Sequence, residues 1–184
     1  MAKDPTHTTS TSTERLPQGC RIAVVASTYH GELVDTMKGS ARAVLEAAGL
    51  DRDDWLEVAV PGAYELPLVA RRLALRDDVD AVLCFGLVLR GDTDHDRYIS
   101  TTVATRLMDA AFEADTPILF GVLTPNNVGQ ARRRARTEAD GGLDKGREVA
   151  RAAIGVLAAL ERARTIGRGD KRSGSSKKSG GSKK

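Results

Sequence analysis

The sequence predicts an α/β fold, a three-layer α/β/α sandwich with a four-stranded parallel sheet and helices on both faces. Two observations carry this. Four short apolar runs alternate with segments of helical period in the order β-α-β-α-β-α-β-α-α, the signature of right-handed crossovers between parallel strands. The runs are also continuously apolar instead of alternating, as in strands covered on both sides. The length of 184 residues, 41% hydrophobic and 29% charged, suits one sizeable core.

Each element follows from its local pattern. Cys20 to Ser27 (CRIAVVAS) is short, β-branched and apolar, hence a strand. From Glu32, the residues Leu33, Val34, Met37, Ala41, Val44, Leu45 and Ala48 recur at three and four, one face of a helix that Gly49 is placed to end. Trp55 to Val60 is the second strand, stopped by Pro61-Gly62. A helix from near Glu65 carries Leu66, Leu68, Val69, Leu73 and Leu75, and tolerates Pro67 in its first turn. Asp80 to Leu89 is the third strand. A long helix over about Arg97 to Ala114 should turn Ile99, Val103, Leu107, Met108 and Ala111 to one side. Thr116 to Leu123 is the fourth strand, and Asn126-Asn127 can cap a helix through Arg136. The last helix, about Lys145 to Arg164, has an apolar stripe of Val149, Ala152, Ala153, Val156, Leu157 and Leu160.

The ends differ in character from this domain, predicted over residues 19–166. Residues 1–18 are rich in Thr and Ser with no long apolar run, so they read as a flexible arm, neither secretory signal nor membrane anchor. Residues 167–184 hold seven Lys/Arg and one Asp in a Gly/Ser/Lys background, a disordered basic tail. Setting that tail aside leaves 21 basic against 24 acidic residues, so the domain itself is mildly acidic despite an overall pI near 9.0. A tail with no aromatic to stack a base argues against a nucleic-acid partner. The two cysteines, Cys20 and Cys84, sit in separate strands at a spacing that suits neither a zinc site nor a disulfide framework, which points to a reducing cytoplasm.

In a parallel sheet the functional loops lie at the carboxyl ends of the strands. Four qualify: Thr28 to Gly31, Pro61 to Glu65, Arg90 to His95, and Thr124 to Asn127. They collect the residues with chemistry to offer. His95 is a candidate general acid/base, since an imidazole titrates near neutrality. Tyr29 and Tyr64 are two of only three tyrosines, and beside the Glu65 carboxylate they suit a flat heterocycle with groups to bind. Gly91, the Thr93 hydroxyl and free N–H groups at a helix start form a seat for phosphate, although Asp92 and Asp94 would repel it. The cation must then come from elsewhere, and one of Arg132, Arg133 and Arg134 could supply it. No histidine pair has zinc-ligand spacing, so no metal is expected. Read without further comparison, these loops are equally an ordinary set of caps and turns.

Four separated motifs occur in order: RIAVVASTYHGEL, VPGAYELP, FGLVLRGDTDHDRY and FGVLTPNNVGQARRRA, closed by DKG before the last helix. Together they resemble the 6,7-dimethyl-8-ribityllumazine synthase family of riboflavin biosynthesis over about Arg21 to Leu160. The resemblance implies a flavodoxin-like fold and a transferase that joins 5-amino-6-(D-ribitylamino)uracil to 3,4-dihydroxy-2-butanone 4-phosphate, releasing phosphate and water, with no cofactor. Motif by motif, it places Tyr29 on the pyrimidine ring, with Ala63, Tyr64 and Glu65 along the ribityl chain. Leu87, Val88 and Leu89 border the ring, Asp92 and Thr93 hold the phosphate, and His95 transfers protons. Phe120 and Arg134 would reach in from an adjacent subunit, Arg134 to the phosphate. The resemblance thus implies a cytoplasmic homo-oligomer, a pentamer or paired pentamers, with active sites straddling the interface.

The chain departs from the family pattern in three places. After the histidine, His95-Asp96-Arg97-Tyr98 puts Arg where an acid is expected. His30 replaces a frequent Asn, and Arg136 to Asp144 is longer than the usual turn before the last helix. The first of these also fits a paralogue performing a related imine-forming condensation in a secondary pathway. The bare β/α alternation fits a non-catalytic, flavodoxin-like module that binds flavin or lumazine.

Overall fold

The computed structural model describes residues 15–166. Both the basic tail and residues 1–14 of the arm lie outside them. The described chain forms four strands, β1 (Ile22–Ser27), β2 (Trp55–Val60), β3 (Ala81–Leu87) and β4 (Ile118–Leu123). Around them run five α-helices, α1 (Gly31–Ala47), α2 (Leu66–Ala74), α3 (His95–Ala114), α4 (Val128–Ala135) and α5 (Lys145–Thr165). Every strand pairing is parallel, in the order β2-β1-β3-β4. The chain thus winds outward to β2 and then back across β1 to β3 and β4.

The continuously apolar runs are explained by the two layers they separate. Successive side chains of a strand face opposite ways. Ile22, Val24 and Ala26 of β1, with Leu83 and Phe85 of β3, pack under α1, α4 and α5. Ala23 and Val25, with Val82 and Cys84, pack under α2 and α3. Both central strands are buried along their whole length. The edge strand β2 leaves Glu57, Val58 and Ala59 exposed.

Helix ends follow the chemistry read from the sequence. Gly49 closes α1 at φ 105°, with its N–H on Glu46 and that of Leu50 on Leu45. Asn127 caps α4 by accepting from the Gln130 N–H at 2.9 Å, while the Gln130 side chain accepts from the Asn126 N–H. The longer segment before α5 is itself compact: Gly142 N–H reaches Thr137, Leu143 reaches Arg133, and Asp144 reaches Arg136. Asp144, buried and left-handed at φ 50°, then caps α5 through the Arg147 N–H and accepts from the Ser40 hydroxyl at 2.6 Å.

Four expectations need correction. The arm does not extend to residue 18 as a free segment, because Leu16 is buried and its N–H bonds to the Ala48 carbonyl. On α3 the buried face is Val103, Leu107 and Ala110, whereas Met108 joins Phe112 on the exposed side. On α5, Ala152 and Leu160 are exposed, and Ala150 and Ile154 are buried instead. Small residues let both stripes be misplaced: alanine fits either face, so the period is set by only a few large side chains. The helix α3 also begins at His95, two residues earlier than the pattern implied.

Candidate active site

The carboxyl ends of the four strands form one rim, and hydrogen bonds tie its loops in pairs. Thr28 N–H donates to Val60 at 2.8 Å and Tyr29 N–H to Pro61 at 3.2 Å, joining the β1 loop to the β2 loop. Val88 N–H donates to Leu123 at 2.8 Å and Arg90 N–H to Pro125 at 3.2 Å, joining the β3 loop to the β4 loop. A side-chain-free position in β3 brings the two pairs together. A Cβ at Gly86 would stand 3.1 Å from Leu66 Cδ1 and 3.4 Å from both Ala63 Cβ and Ser27 Oγ. The turn 63–65 can therefore lie across the strand end, and it also packs on α3.

This arrangement sets each predicted side chain. His30 adopts the left-handed conformation at φ 57°, unusual for a residue with a side chain, and turns the chain into α1 directly after Tyr29. Its ring meets that of Tyr29 edge-on, centroids 4.3 Å apart, while Tyr29 stays 62% exposed. Across the rim, Tyr64 is 61% exposed on the 63–65 turn, with Ala63 buried beneath it. Glu65 folds back to accept from the Gly62 N–H at 2.9 Å, which fixes the turn. Two solvated aromatic side chains thus stand on the paired β1 and β2 loops.

The third loop carries the polar chemistry. Among the described residues no carboxylate pairs with His95, although Asp92, Asp94 and Asp96 all surround it in sequence. Its Nδ1 instead lies 2.7 Å from the Thr93 hydroxyl, and its Cε1 lies 2.7 Å from where a Cβ on Gly91 would stand. Asp94, at the N-cap of α3, makes no capping hydrogen bond with its side chain. The loop is thus shaped around the imidazole, which sits at the first turn of a long helix. This contact was not legible from residue types, because it depends on the loop's conformation.

Other predicted residues fall elsewhere. Leu87 and Val88 are buried on opposite sides of the sheet, and only Leu89 of the three is partly exposed. Phe120 lies mid-strand on the edge strand β4, paired with Cys84, and is 38% exposed. Arg134 is exposed on the last turn of α4, in the layer with α1 and α5, whereas His95 begins α3 in the opposite layer. One copy of the chain therefore gathers Tyr29, Tyr64, Thr93 and His95 on its rim and carries Phe120 and Arg134 away from it. Beside Tyr29 a cavity of about 190 Å³ is lined by His30, Gly31, Glu32, Leu33, Val128 and Arg132. A larger recess of about 460 Å³ lies at the opposite end of the sheet, among Arg76, Asp80, Asp115 and Arg164, remote from these loops.

A parallel three-layer α/β domain with aromatic, hydroxyl and imidazole groups on the rim at its strands' carboxyl ends has the architecture of the doubly wound class, whose ligands bind at that rim. The sequence model of 6,7-dimethyl-8-ribityllumazine synthase matches residues 19–161, and the chain belongs to that family. Curated relatives agree. It is 43% identical over 142 residues to the 6,7-dimethyl-8-ribityllumazine synthase of Kineococcus radiotolerans, covering 77% of this chain and 86% of the relative. The synthase of Halorubrum lacusprofundi is 40% identical over 143 residues, 76% of this chain and 98% of the relative. That of Salinibacter ruber is 38% identical over 136 residues, 74% and 85% respectively.

Proposed function

We propose that this chain condenses 5-amino-6-(D-ribitylamino)uracil with 3,4-dihydroxy-2-butanone 4-phosphate to form 6,7-dimethyl-8-ribityllumazine, releasing phosphate and water. The observation that carries the reading is the rim itself: in a member of this family, Tyr29, Tyr64, Thr93 and His95 all lie on loops at the carboxyl end of one parallel sheet.

The exposed Tyr29 ring stacks on the pyrimidine, and the turn Ala63-Tyr64-Glu65 borders the ribityl hydroxyls. Leu87, Val88 and Leu89 form the strand end beneath the ring, with Leu89 supplying the accessible side chain. Main-chain N–H groups near Asp92 and the Thr93 hydroxyl seat the phosphate. His95 moves protons during imine formation, phosphate loss and ring closure. Holding an amine against a ketone replaces an encounter in solution with a reaction inside one complex, so binding groups outnumber nucleophiles.

Phe120 and Arg134 complete the site from a second copy of the chain. Their position away from the rim in one copy supports this. A pentamer or paired pentamers in the cytoplasm is the assembly that fits. Expression in a riboflavin auxotroph lacking its own synthase tests the function. Growth without riboflavin is expected, and continued auxotrophy with soluble protein present would reject it.

A further inference from the structure

We propose that Thr93 is a proton relay, through which His95 protonates the departing phosphate. The inference rests on His95 and Thr93 serving as assigned above and goes beyond it. Seating a phosphate needs only a hydroxyl that faces it. Here the hydroxyl also lies 2.7 Å from His95 Nδ1, and it is the imidazole's partner where a carboxylate would otherwise be expected. Cε1, the ring carbon bonded to Nδ1, occupies the space that a Cβ on Gly91 would fill, 2.7 Å away. Nδ1 thus faces the phosphate seat through Thr93, and Nε2 is directed elsewhere.

A hydroxyl has one hydrogen to donate and lone pairs to accept with. With phosphate seated, the Thr93 O–H donates to a phosphate oxygen, so Nδ1 must carry the hydrogen that it shares with Oγ1. Nε2 is then bare and basic. Phosphate leaves from the carbon next to the one that carries both a hydroxyl and a proton made acidic by the neighbouring imine. Nε2 takes that proton, the C–H electron pair forms a carbon–carbon double bond, and the C–O pair departs on the phosphate oxygen. The Nδ1 hydrogen passes to Thr93 Oγ1 as the Thr93 hydrogen passes to phosphate. One proton leaves the substrate and one reaches phosphate, while Thr93 is unchanged. His95 is left neutral with its hydrogen on Nε2, ready to protonate the hydroxyl that leaves as water. His95 and Thr93 are exposed, so solvent resets the ring between turnovers.

The relay separates from a simple phosphate seat by what it does to turnover. Thr93→Val removes the hydroxyl and keeps the shape. With both substrates saturating, kcat for lumazine formation should fall about 100-fold, the scale of one general acid–base contribution. Thr93→Ser should restore it to within about threefold of the parent, because the hydroxyl returns. In a His95→Gln background, Thr93→Val should add less than about threefold, as expected of two groups acting as one unit. Gly91→Ala, which drives the ring aside and removes no polar group, should lower kcat with little change in the KM for the butanone phosphate. If Thr93→Val raises only that KM and the inhibition constant of inorganic phosphate, with kcat unchanged, Thr93 is a seat alone and the relay is wrong. If His95→Gln itself leaves kcat unchanged, the assignment of His95 fails and the relay with it.

Discussion

His30 shows how much of the site is decided by single backbone angles. With its left-handed φ, the residue lets β1 turn sharply into α1 and leaves Tyr29 standing out from the rim. The residue types at the rim were legible in the sequence because a loop that follows an apolar run in a parallel sheet has one place to go. Their mutual contacts were not, since the Thr93–His95 hydrogen bond and the folding back of Glu65 depend on loop torsions. Arg134→Ala should raise the KM for the butanone phosphate about 10-fold or more, through loss of a charge-assisted contact worth roughly 1.5–3 kcal/mol, and leave the KM for the pyrimidine within about twofold. Steady-state kinetics with each substrate varied in turn makes that comparison. The two thiols behave oppositely to catalytic groups. Burial, reinforced by Asp80 and Asp54, pushes Cys20 up to about 12, and burial alone raises Cys84 further. Both therefore stay as unreactive thiols at pH 8, and a maleimide should label neither in the native protein but both in denaturant.

At the scale of elements, strands were read more accurately than helix faces. A buried parallel strand is marked by every residue, whereas α3 presents Tyr98, Met108 and Phe112 outward, and its inner face depends on Val103 and Leu107. The packing of α5 on α1 has a sharper determinant. A Cβ at Gly146 would collide with the Met37 carbonyl, so the two helices approach where only glycine fits. Gly146→Ala should cost about 1–3 kcal/mol in urea unfolding, with the overpacking term dominant. Beneath the sheet, Arg21 bonds Asp54 and Asp78, and Arg76 bonds Asp78 through two nitrogens. Hydrogen bonds from Arg76, opposed by desolvation, and then from Arg21 hold the Asp78 carboxyl well below the usual carboxylate range. A depressed carboxylate stabilises the fold above its unfolded pKa and loses that contribution as pH falls through the folded value. Asp78→Asn should therefore lower the thermal midpoint modestly at pH 7, and the gap should close as the pH drops below about 4. A gap that stays constant down to pH 2 would show that the pairing contributes nothing.

For the whole molecule, the order β2-β1-β3-β4 places the β1 and β3 loops, which carry Tyr29 and His95, at the centre of the rim. The alternation of elements made that fold class legible, but not what a second copy would add, because Phe120 and Arg134 look like ordinary surface residues within one chain. Light scattering on the purified protein should therefore give a mass of five or ten chains, and dilution to monomer should abolish turnover. Mixing the protein with both substrates and following the fluorescence of 6,7-dimethyl-8-ribityllumazine alongside released phosphate reads the reaction itself. The proposed reaction predicts product that requires both substrates, one phosphate per lumazine, and a rate sharply reduced by His95→Gln. Soluble, assembled protein that forms no lumazine above the uncatalysed rate would contradict it.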